Sequence, residues 1–189
     1  GVYKTTDGGV TWAPTGLSLQ LTQGDASLIR KIIVHPVNTN QLVACGSNGL
    51  FVSSNGGATW TTKSDSLFWD LTQDPSNPNV LYAATGWVSS INEGSAGIYK
   101  STDFGMTWNL LNTGIPPRGQ VQRIRIEVSP ADPNYVYAMA VSTSQGLYGF
   151  YKSTDAGATW NFINGAVNVL GYGDGSNNGG QGNYDLGLC

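Results

Sequence analysis

One eight-residue motif occurs four times in the chain and constrains its fold more than any other feature. The copies lie at residues 5–12, 53–60, 101–108 and 153–160, and each fits the pattern [ST]-x-[DN]-x-G-x-T-W. Their tryptophans are 48, 48 and 52 residues apart. Self-similarity at a nearly constant period of this size is typical of a repeat architecture. The sequence therefore predicts a series of structurally equivalent units.

The residue types of the motif predict a hairpin turn. An Asp or Asn two positions after a hydroxyl residue can accept hydrogen bonds from main-chain N–H groups ahead of it. The glycine two positions later tolerates a backbone conformation that other residues adopt at a cost. The Thr-Trp pair is expected to start a strand, with the indole filling a gap between neighbouring sheets. The residues assigned this structural role are Thr5, Asp7, Gly9, Trp12, Ser53, Asn55, Gly57, Trp60, Ser101, Asp103, Gly105, Trp108, Ser153, Asp155, Gly157 and Trp160.

The alternative is that the four acidic positions are catalytic or bind metal. This is less favoured, because the repeats place them on separate units and one copy carries Asn. A second phrase, P-x-x-x-N-x-[LV]-[VY]-A, recurs in phase with the first, starting at Pro36, Pro75 and Pro130. Proline presets a turn and Asn tolerates its left-handed corner. Together the two markers predict four short strands per repeat.

The eight-residue motif resembles the Asp-box, or BNR, repeat of sialidases, xyloglucanase-type glycoside hydrolases, sortilin-like (VPS10) receptors and a photosystem II assembly factor. The resemblance covers nearly the whole chain and implies an all-β fold. The expected fold is a partial β-propeller of four-stranded antiparallel blades, with the Asp-boxes on the face away from the active site. The ending GGQGNYDL at residues 179–186 is similar to secreted sortilin-like repeat proteins of Bacteroidetes.

The repeats divide the chain into expected units: a half blade at 1–12, blades at 28–63, 67–111 and 121–163, and the first strand of a further blade at 183–189. Because the first and last units are incomplete, we expect a segment of a larger propeller, with the remaining blades of the same longer chain as its partners.

Composition narrows the function classes. Charged residues make up 11% of the chain, and 26 residues are glycine, which together with abundant Ser, Thr and Asn is typical of a turn-rich protein that is secreted or on the cell surface. The net charge of −3 and the lack of a basic patch argue against nucleic acid as a partner. No apolar run is long enough to span a membrane. The absence of N-x-[ST] sequons in an Asn-rich chain favours a bacterial origin.

No cofactor or metal ion is expected, since no Cys/His cluster has metal-ligand spacing. Cys45 is expected to be a small buried apolar residue; whether Cys45 or Cys189 forms a disulfide is left open by the sequence. His35 falls in a repeated turn, at a position shared with Asp74 and Ser129. A Ser-His-Asp triad is therefore not expected.

Candidate ligand contacts are sought in the variable loops opposite the Asp-boxes, because binding residues are often on loops held by a rigid scaffold. They are Trp69, Trp87, Glu93, Arg118, Tyr148, Tyr172 and Asp174, and for each the alternative is an ordinary loop residue or packing between blades. A further set, Lys31, Asp70 and Arg125, occupies one equivalent position on the first strands. These charges either line a central channel and bind a charged ligand, or pair with one another or with water.

Catalytic residues are not identified. A sialidase needs an arginine cluster, but none of Arg30, Arg118, Arg123 and Arg125 lies in a FRIP-like motif. A glycosidase needs two carboxylates flanking the scissile bond, and nothing marks a pair among Asp70, Glu93, Glu127, Asp174 and Asp185. The favoured hypothesis is a non-enzymatic scaffold that binds a protein or glycan ligand. The alternative is part of a xyloglucanase- or sialidase-type glycoside hydrolase.

Overall fold

The structure is a computed structural model that describes residues 1–18, 28–86, 97–115, 119–163, 167–184 and 186–188. It contains a two-stranded hairpin followed by three four-stranded sheets, and all pairings are antiparallel. The strands of the hairpin and of the first sheet are β1 (Tyr3–Lys4), β2 (Ala13–Pro14), β3 (Ile29–Val34), β4 (Leu42–Gly46), β5 (Gly49–Ser53) and β6 (Thr61–Ser64).

The second and third sheets repeat this order. Their strands are β7 (Phe68–Gln73), β8 (Leu81–Thr85), β9 (Ile98–Ser101), β10 (Asn109–Leu111), β11 (Val121–Val128), β12 (Val136–Ser142), β13 (Leu147–Ser153) and β14 (Asn161–Ile163). Within each sheet the strands lie in chain order. Between sheets, the first strand β7 also contacts the first strands β3 and β11. The three first strands therefore form the inner edge around which the three sheets are arranged.

The fourth strand of each sheet begins later than the sequence indicated. The Thr-Trp pairs were expected to start it, but β6, β10 and β14 begin immediately after Trp60, Trp108 and Trp160. The reason is local, because the threonine N–H and hydroxyl groups of the motif bond to its Asp or Asn and so belong to the turn.

The core lies between the sheets. Val43, Leu50 and Phe104 pack with Leu71 and Leu81 between the first and second four-stranded sheets. A larger cluster joins the second and third, with Tyr82, Ile98, Ile124, Ile126 and Val136 among its buried residues. Full burial of one such side chain stabilises the fold by roughly 1.5–3 kcal/mol. Face-to-face packing of successive sheets is thus the main stabilising interaction.

The face of the first four-stranded sheet that lies towards the β1–β2 hairpin is only partly covered, because Val2 and Leu17 pack against Ala44 and Phe51 but leave part of β3 exposed. Ile32 and Val34 on β3 are 40% and 47% exposed, whereas the equivalent Leu71 and Val128 are 1% and 3% exposed. The later residues are covered by a complete preceding sheet, while β3 follows the short β1–β2 hairpin.

The segment at 183–189 does not form the expected strand within the described residues. Positions 183 and 184 lie in a turn, and 186–188 are irregular; Asp185 and Cys189 lie outside the described residues. A strand requires a hydrogen-bonded neighbour, and here Tyr184 N and Leu186 N bond to Gln181 O and Tyr184 O instead. Leu186 packs with Leu170 against Met139 and Val141 of β12.

Candidate functional site

One face of the sheets is closed by uniform turns. In each motif the hydroxyl oxygen of the first residue accepts a hydrogen bond from the glycine N–H, as in Ser101 Oγ with Gly105 N at 2.7 Å. The Asp103 carboxylate accepts from Thr107 N at 2.8 Å and from its hydroxyl at 2.6 Å. Burial raises the pKa of Asp103, but the hydrogen bonds with Thr107 and Ser101 together outweigh it, so the pKa is lowered. The carboxylates at this position are therefore engaged inside their own turns.

The second family of turns lies on the same face, and the two families bond to each other. Gly56 N donates to Asn40 O at 2.9 Å in the first four-stranded sheet. The matching bonds in the next two sheets are Phe104 N to Asn79 O at 2.8 Å and Ala156 N to Asn134 O at 2.9 Å. His35 stabilises its turn with its side chain, because its Nδ1 accepts hydrogen bonds from Val37 N and Asn38 N at 3.2 and 3.0 Å. In the next repeat the Asp74 carboxylate accepts the equivalent bonds from Ser76 N and Asn77 N.

The opposite face, called here the loop face, is where the first strands begin. The residues that begin β3, β7 and β11 pair with the ends of β4, β8 and β12, which lead into the second-to-third strand loops. At this end each first strand carries a bulge, located at Arg30 in β3, at Trp69 in β7 and at Gln122 in β11. Bulges redirect side chains and are frequent next to functional sites.

A group of charged and aromatic side chains converges at these strand starts. We call it the strand-start cluster; its members are Arg30, Lys31, Trp69, Asp70, Arg123 and Arg125. Three successive sheets contribute to it.

Asp70 is the anionic centre of the cluster. Its Oδ1 lies 2.9 Å from Lys31 Nζ and 3.1 Å from Arg125 Nη1, while its side chain is only 1% exposed. Its Oδ2 accepts a hydrogen bond from Ile126 N at 3.0 Å. Of the two alternatives for the equivalent charges Lys31, Asp70 and Arg125, the structure has the one in which they pair with one another. The carboxylate joins three sheets and satisfies a main-chain N–H of the inner edge.

Trp69 lies between arginines from the sheets before and after it. Arg30 Cζ is 3.4 Å from the centroid of the indole ring, and Arg123 Cζ is 4.8 Å from it. Gly86 lies directly against the ring, because a Cβ at this position would come within 1.9 Å of Trp69 Cδ1. The indole is therefore engaged by guanidinium groups, and stacking a sugar on the Arg30 side would displace that group.

The cluster carries more positive charge than its single carboxylate balances. Arg123 is 8% exposed, and its Nη1 donates to Gly182 O at 2.9 Å. Burial, followed by repulsion from Arg125 and Arg30, lowers the pKa of Arg123 to about 10, and the attraction of Asp70 does not offset this. Burial also lowers the pKa of Arg30. Both guanidinium groups remain charged at neutral pH.

The candidate ligand contacts predicted from the sequence do not all lie in the strand-start cluster. Trp69 lies in the strand-start cluster, and Tyr148 donates its hydroxyl to Gln120 Oε1 at 2.6 Å. Tyr172 is 58% exposed. Asp174 is exposed and accepts from Ser176 N at 3.0 Å, and hydrogen bonds with Ser176 lower its pKa. The predicted contacts Trp87, Glu93 and Arg118 lie outside the described residues.

Two members of the cluster, Arg30 and Arg123, were not among the candidate ligand contacts. The repeat pattern aligns Arg123 with Phe68, a core position, rather than with Arg30. In the structure the bulge of β11 lies two residues earlier than those of β3 and β7 relative to the shared register. No signal in the repeat pattern marks this shift.

The described carboxylates of the inner strands are all engaged. Asp70 is ion-paired, and Glu127 Oε1 accepts a hydrogen bond from Thr72 Oγ1 at 3.1 Å. In the part of the chain that the structure describes, no group of three His, Cys, Asp or Glu side chains is placed to hold a metal ion. A search of the same residues finds no helix whose length and apolarity would let it cross a membrane.

Comparison with known proteins gives two xyloglucanases as relatives. The one from Hypocrea jecorina (strain QM6a) is 27% identical over 157 residues, which are 74% of this chain and 18% of the relative. The one from Paenibacillus sp is 28% identical over 171 residues, which are 86% of this chain and 16% of the relative. The chain thus spans less than a fifth of the length of these curated relatives.

Solved structures confirm the predicted partial β-propeller. An ancestral GH74 enzyme superposes with a TM-score of 0.70 at 23% identity, covering 90% of this chain and 22% of the other. The GH74 enzyme of Niastella koreensis gives 0.63 at 22% identity, covering 85% and 26%.

Residues 48–184 match the family Sortilin-Vps10, described as "Sortilin, neurotensin receptor 3". This match agrees with the resemblance drawn from the repeated turn. Because it covers well over half of the chain, the protein belongs to the Sortilin-Vps10 family.

Proposed function

We propose that the protein is a non-enzymatic binding scaffold, secreted or on the cell surface, that recognises a glycan through its loop face. The observation that carries this proposal is the strand-start cluster, which places Trp69 and an excess of cations at the loop end of three adjacent first strands. Arginines and an aromatic ring arranged in this way suit ligand binding.

The carboxylates of the first strands are already paired or hydrogen-bonded, which supports binding rather than hydrolysis. A glycosidase needs one carboxyl group that donates a proton and another that attacks or activates water. Asp70 is 1% exposed and its Oδ1 is ion-paired to Lys31 and Arg125, so this oxygen is not free to contact a glycosidic oxygen. Its Oδ2 is also occupied by Ile126 N. Asp70 therefore fits the role of an anion that links the sheets better than the role of a catalytic acid.

The second candidate function is part of a glycoside hydrolase. It is favoured by the two relatives named xyloglucanase, which match 74% and 86% of this chain. In that case the catalytic carboxylates would come from residues beyond those described here. The same relatives are the reason for preferring a glycan over a protein as the ligand.

We further propose that this segment works together with additional blades. The exposed Ile32 and Val34 occupy positions that a preceding sheet buries in the later repeats. A further sheet on this face would remove their apolar surface from water, which is favourable.

Binding and hydrolysis are separated by one pair of measurements on the purified protein. Xyloglucan oligosaccharides are titrated into the protein by calorimetry, and the same mixtures are assayed for new reducing ends. We expect saturable binding without reducing-end release, and weaker binding by Arg30→Gln on the loop face. The control is Asp103→Asn on the turn face, where Asn55 already fills the equivalent position. Release of reducing ends would replace the scaffold hypothesis with the hydrolase one.

A further inference from the structure

The strand-start cluster holds an unbalanced charge. Its four cations face one carboxylate, and Asp70 Oδ1 is already shared by Lys31 and Arg125. Among the described residues neither Arg30 nor Arg123 has a carboxylate partner. Buried or half-buried charges are normally paired, because removing them from water without a partner is costly. The imbalance points to a negatively charged group that is supplied from outside the described residues.

The cluster also has more hydrogen-bond donors than acceptors. Four buried donor groups at these strand starts lack an acceptor within the described ranges: the Nε atoms of Arg30, Arg123 and Arg125, and Trp69 Nε1. One buried acceptor nearby in sequence, Gln122 Oε1, lacks a donor. A ligand group that only accepts hydrogen bonds fits four donors better than a hydroxyl does.

The stacking geometry leaves the edge of the Arg30 guanidinium available to such a group. Arg30 lies over the Trp69 ring at 3.4 Å, so its guanidinium face is used. The N–H bonds of a guanidinium lie in its plane and point from its edge, where they match the two oxygens of a carboxylate. Trp69 therefore orients the arginines without consuming their donors.

Two cations of the cluster are partly exposed to solvent. The side chains of Lys31 and Arg125 are 34% and 19% exposed, whereas Asp70 and Arg123 are buried. A negatively charged ligand group can therefore be attracted by Lys31 and Arg125, which remain partly open to solvent. Its charge would be attracted over several ångströms and more strongly at low salt.

We propose that the strand-start cluster is an oxyanion subsite that binds the carboxylate of a uronic acid in an acidic glycan. This inference rests on the proposed glycan-binding function and adds the charge of the ligand. Arg30 and Arg123 bind the carboxylate oxygens, Trp69 orients the two guanidinium groups, and Lys31 and Arg125 attract the ligand. Asp70 holds Lys31 and Arg125 in place.

The test compares two ligands that differ in the charge of their carboxyl groups. Oligogalacturonate and its methyl ester are titrated into the purified protein at low and high salt. We expect the acid to bind about tenfold more tightly than the ester at low salt, as for a gained charge-assisted contact. This preference should shrink at high salt. Equal affinities for acid and ester would overturn the proposal.

Matched variants locate the preference in the cluster. Arg123→Gln should abolish most of it, and Arg30→Gln, at a less buried position, tests the same claim if the first variant folds poorly. Lys63→Gln is the charge-matched control, because it removes one cation from the fourth strand β6. If Lys63→Gln reduces the preference as much as Arg30→Gln, overall charge is the cause and the subsite is refuted.

Two further outcomes separate this inference from the proposed function. If neutral xyloglucan oligosaccharides bind while acid and ester do not differ, the glycan-binding function stands and the subsite fails. If a hexaglutamate peptide binds more tightly than oligogalacturonate, the ligand is an acidic peptide and the glycan assignment is wrong.

Discussion

Asp70 offers the sharpest test of how the three sheets are joined. Replacement by Asn keeps the shape of the side chain and removes its charge. The native carboxylate contacts Lys31 Nζ at 2.9 Å and Arg125 Nη1 at 3.1 Å, and it accepts from Ile126 N at 3.0 Å. An amide offers one acceptor oxygen in place of two and adds two N–H donors among groups that already donate.

The expected cost follows from burial. Removing one partner of a buried ion pair destabilises a protein by about 3–5 kcal/mol, because the remaining charge loses its compensation. Lys31 and Arg125 keep 34% and 19% of their side-chain surface exposed, so water screens part of the loss. The loss should therefore be near the lower end, about 3 kcal/mol. With a urea m-value of about 2.5 kcal/mol/M, the unfolding midpoint should fall by about 1 M.

Equilibrium urea unfolding followed by tryptophan fluorescence measures this shift. Asp103→Asn is the control, because the second motif copy already uses Asn55 and its Oδ1 accepts from Thr59 N at 2.9 Å. We expect Asp103→Asn to cost less than about 1 kcal/mol. An Asp70→Asn midpoint within the error of the wild-type value would refute the assigned role of Asp70 as the ionic link between sheets.

Two further predictions concern the repeated turns. Gly105→Ala should destabilise the protein by about 2–4 kcal/mol, since φ is +85° and the new Cβ would lie 2.9 Å from Val43 Cγ2. The control Gly9→Ala has φ +96° and no atom within 4 Å of the new Cβ, so it should cost only about 1 kcal/mol in the same urea assay. Equal losses for the two variants would exclude a steric contribution at Gly105. In the fourth copy, hydrogen bonds from Thr159 lower the pKa of Asp155 from 3.8 to about 2, so its stabilising contribution is complete above pH 4 and is lost as the pH falls towards 2. An NMR titration of the Asp155 carboxyl group should show a midpoint near 2, whereas a midpoint at or above 3.8 would contradict the hydrogen-bonded turn.

The sequence was sufficient to predict the sheets, because two independent turn markers recur in phase. It did not predict the backbone conformation of the residue before the motif glycine. Phe104 and Ala156 both have φ of 54°, where two earlier copies have Gly8 and Gly56. A phenylalanine accepts this conformation because tertiary contacts offset its strain. Phe104 is 2% exposed and lies edge-on to His35 with ring centroids 4.7 Å apart.

The fourth tryptophan also departs from the pattern. In the first three copies the indole N–H donates to the motif glycine carbonyl, at 2.9 Å between Trp108 and Gly105. Trp160 Nε1 has no such partner in the described structure, and Trp160 is instead 4% exposed, packed between the second and third four-stranded sheets. Its main-chain N–H donates to Thr113 O at 2.9 Å. Burial thus replaces a local bond that the motif alone would predict.

The candidate site was only partly predictable because it depends on distances between repeats. The equivalence of Lys31, Asp70 and Arg125 follows from the sequence, and so does the possibility that they pair. The approach of Arg30 and Arg123 to Trp69 does not, since it requires bulges at different positions of the first strands. A bulge shifts every preceding side chain relative to the sheet register, and a repeat alignment without coordinates cannot place it.

The two faces of the sheets differ for one physical reason. On the turn face, the polar groups of each repeat form hydrogen bonds within one turn or between the two turns of one sheet, so the Asp and Asn side chains there have little capacity left for a ligand. On the loop face, polar groups of the first strands pair between sheets, and Asp70 alone pairs with groups from two neighbouring sheets. One carboxylate cannot neutralise four cations, so the unsatisfied capacity of the described structure is concentrated at the strand-start cluster. A ligand gains most where donors and charge are still unmatched, which is why we propose recognition on the loop face.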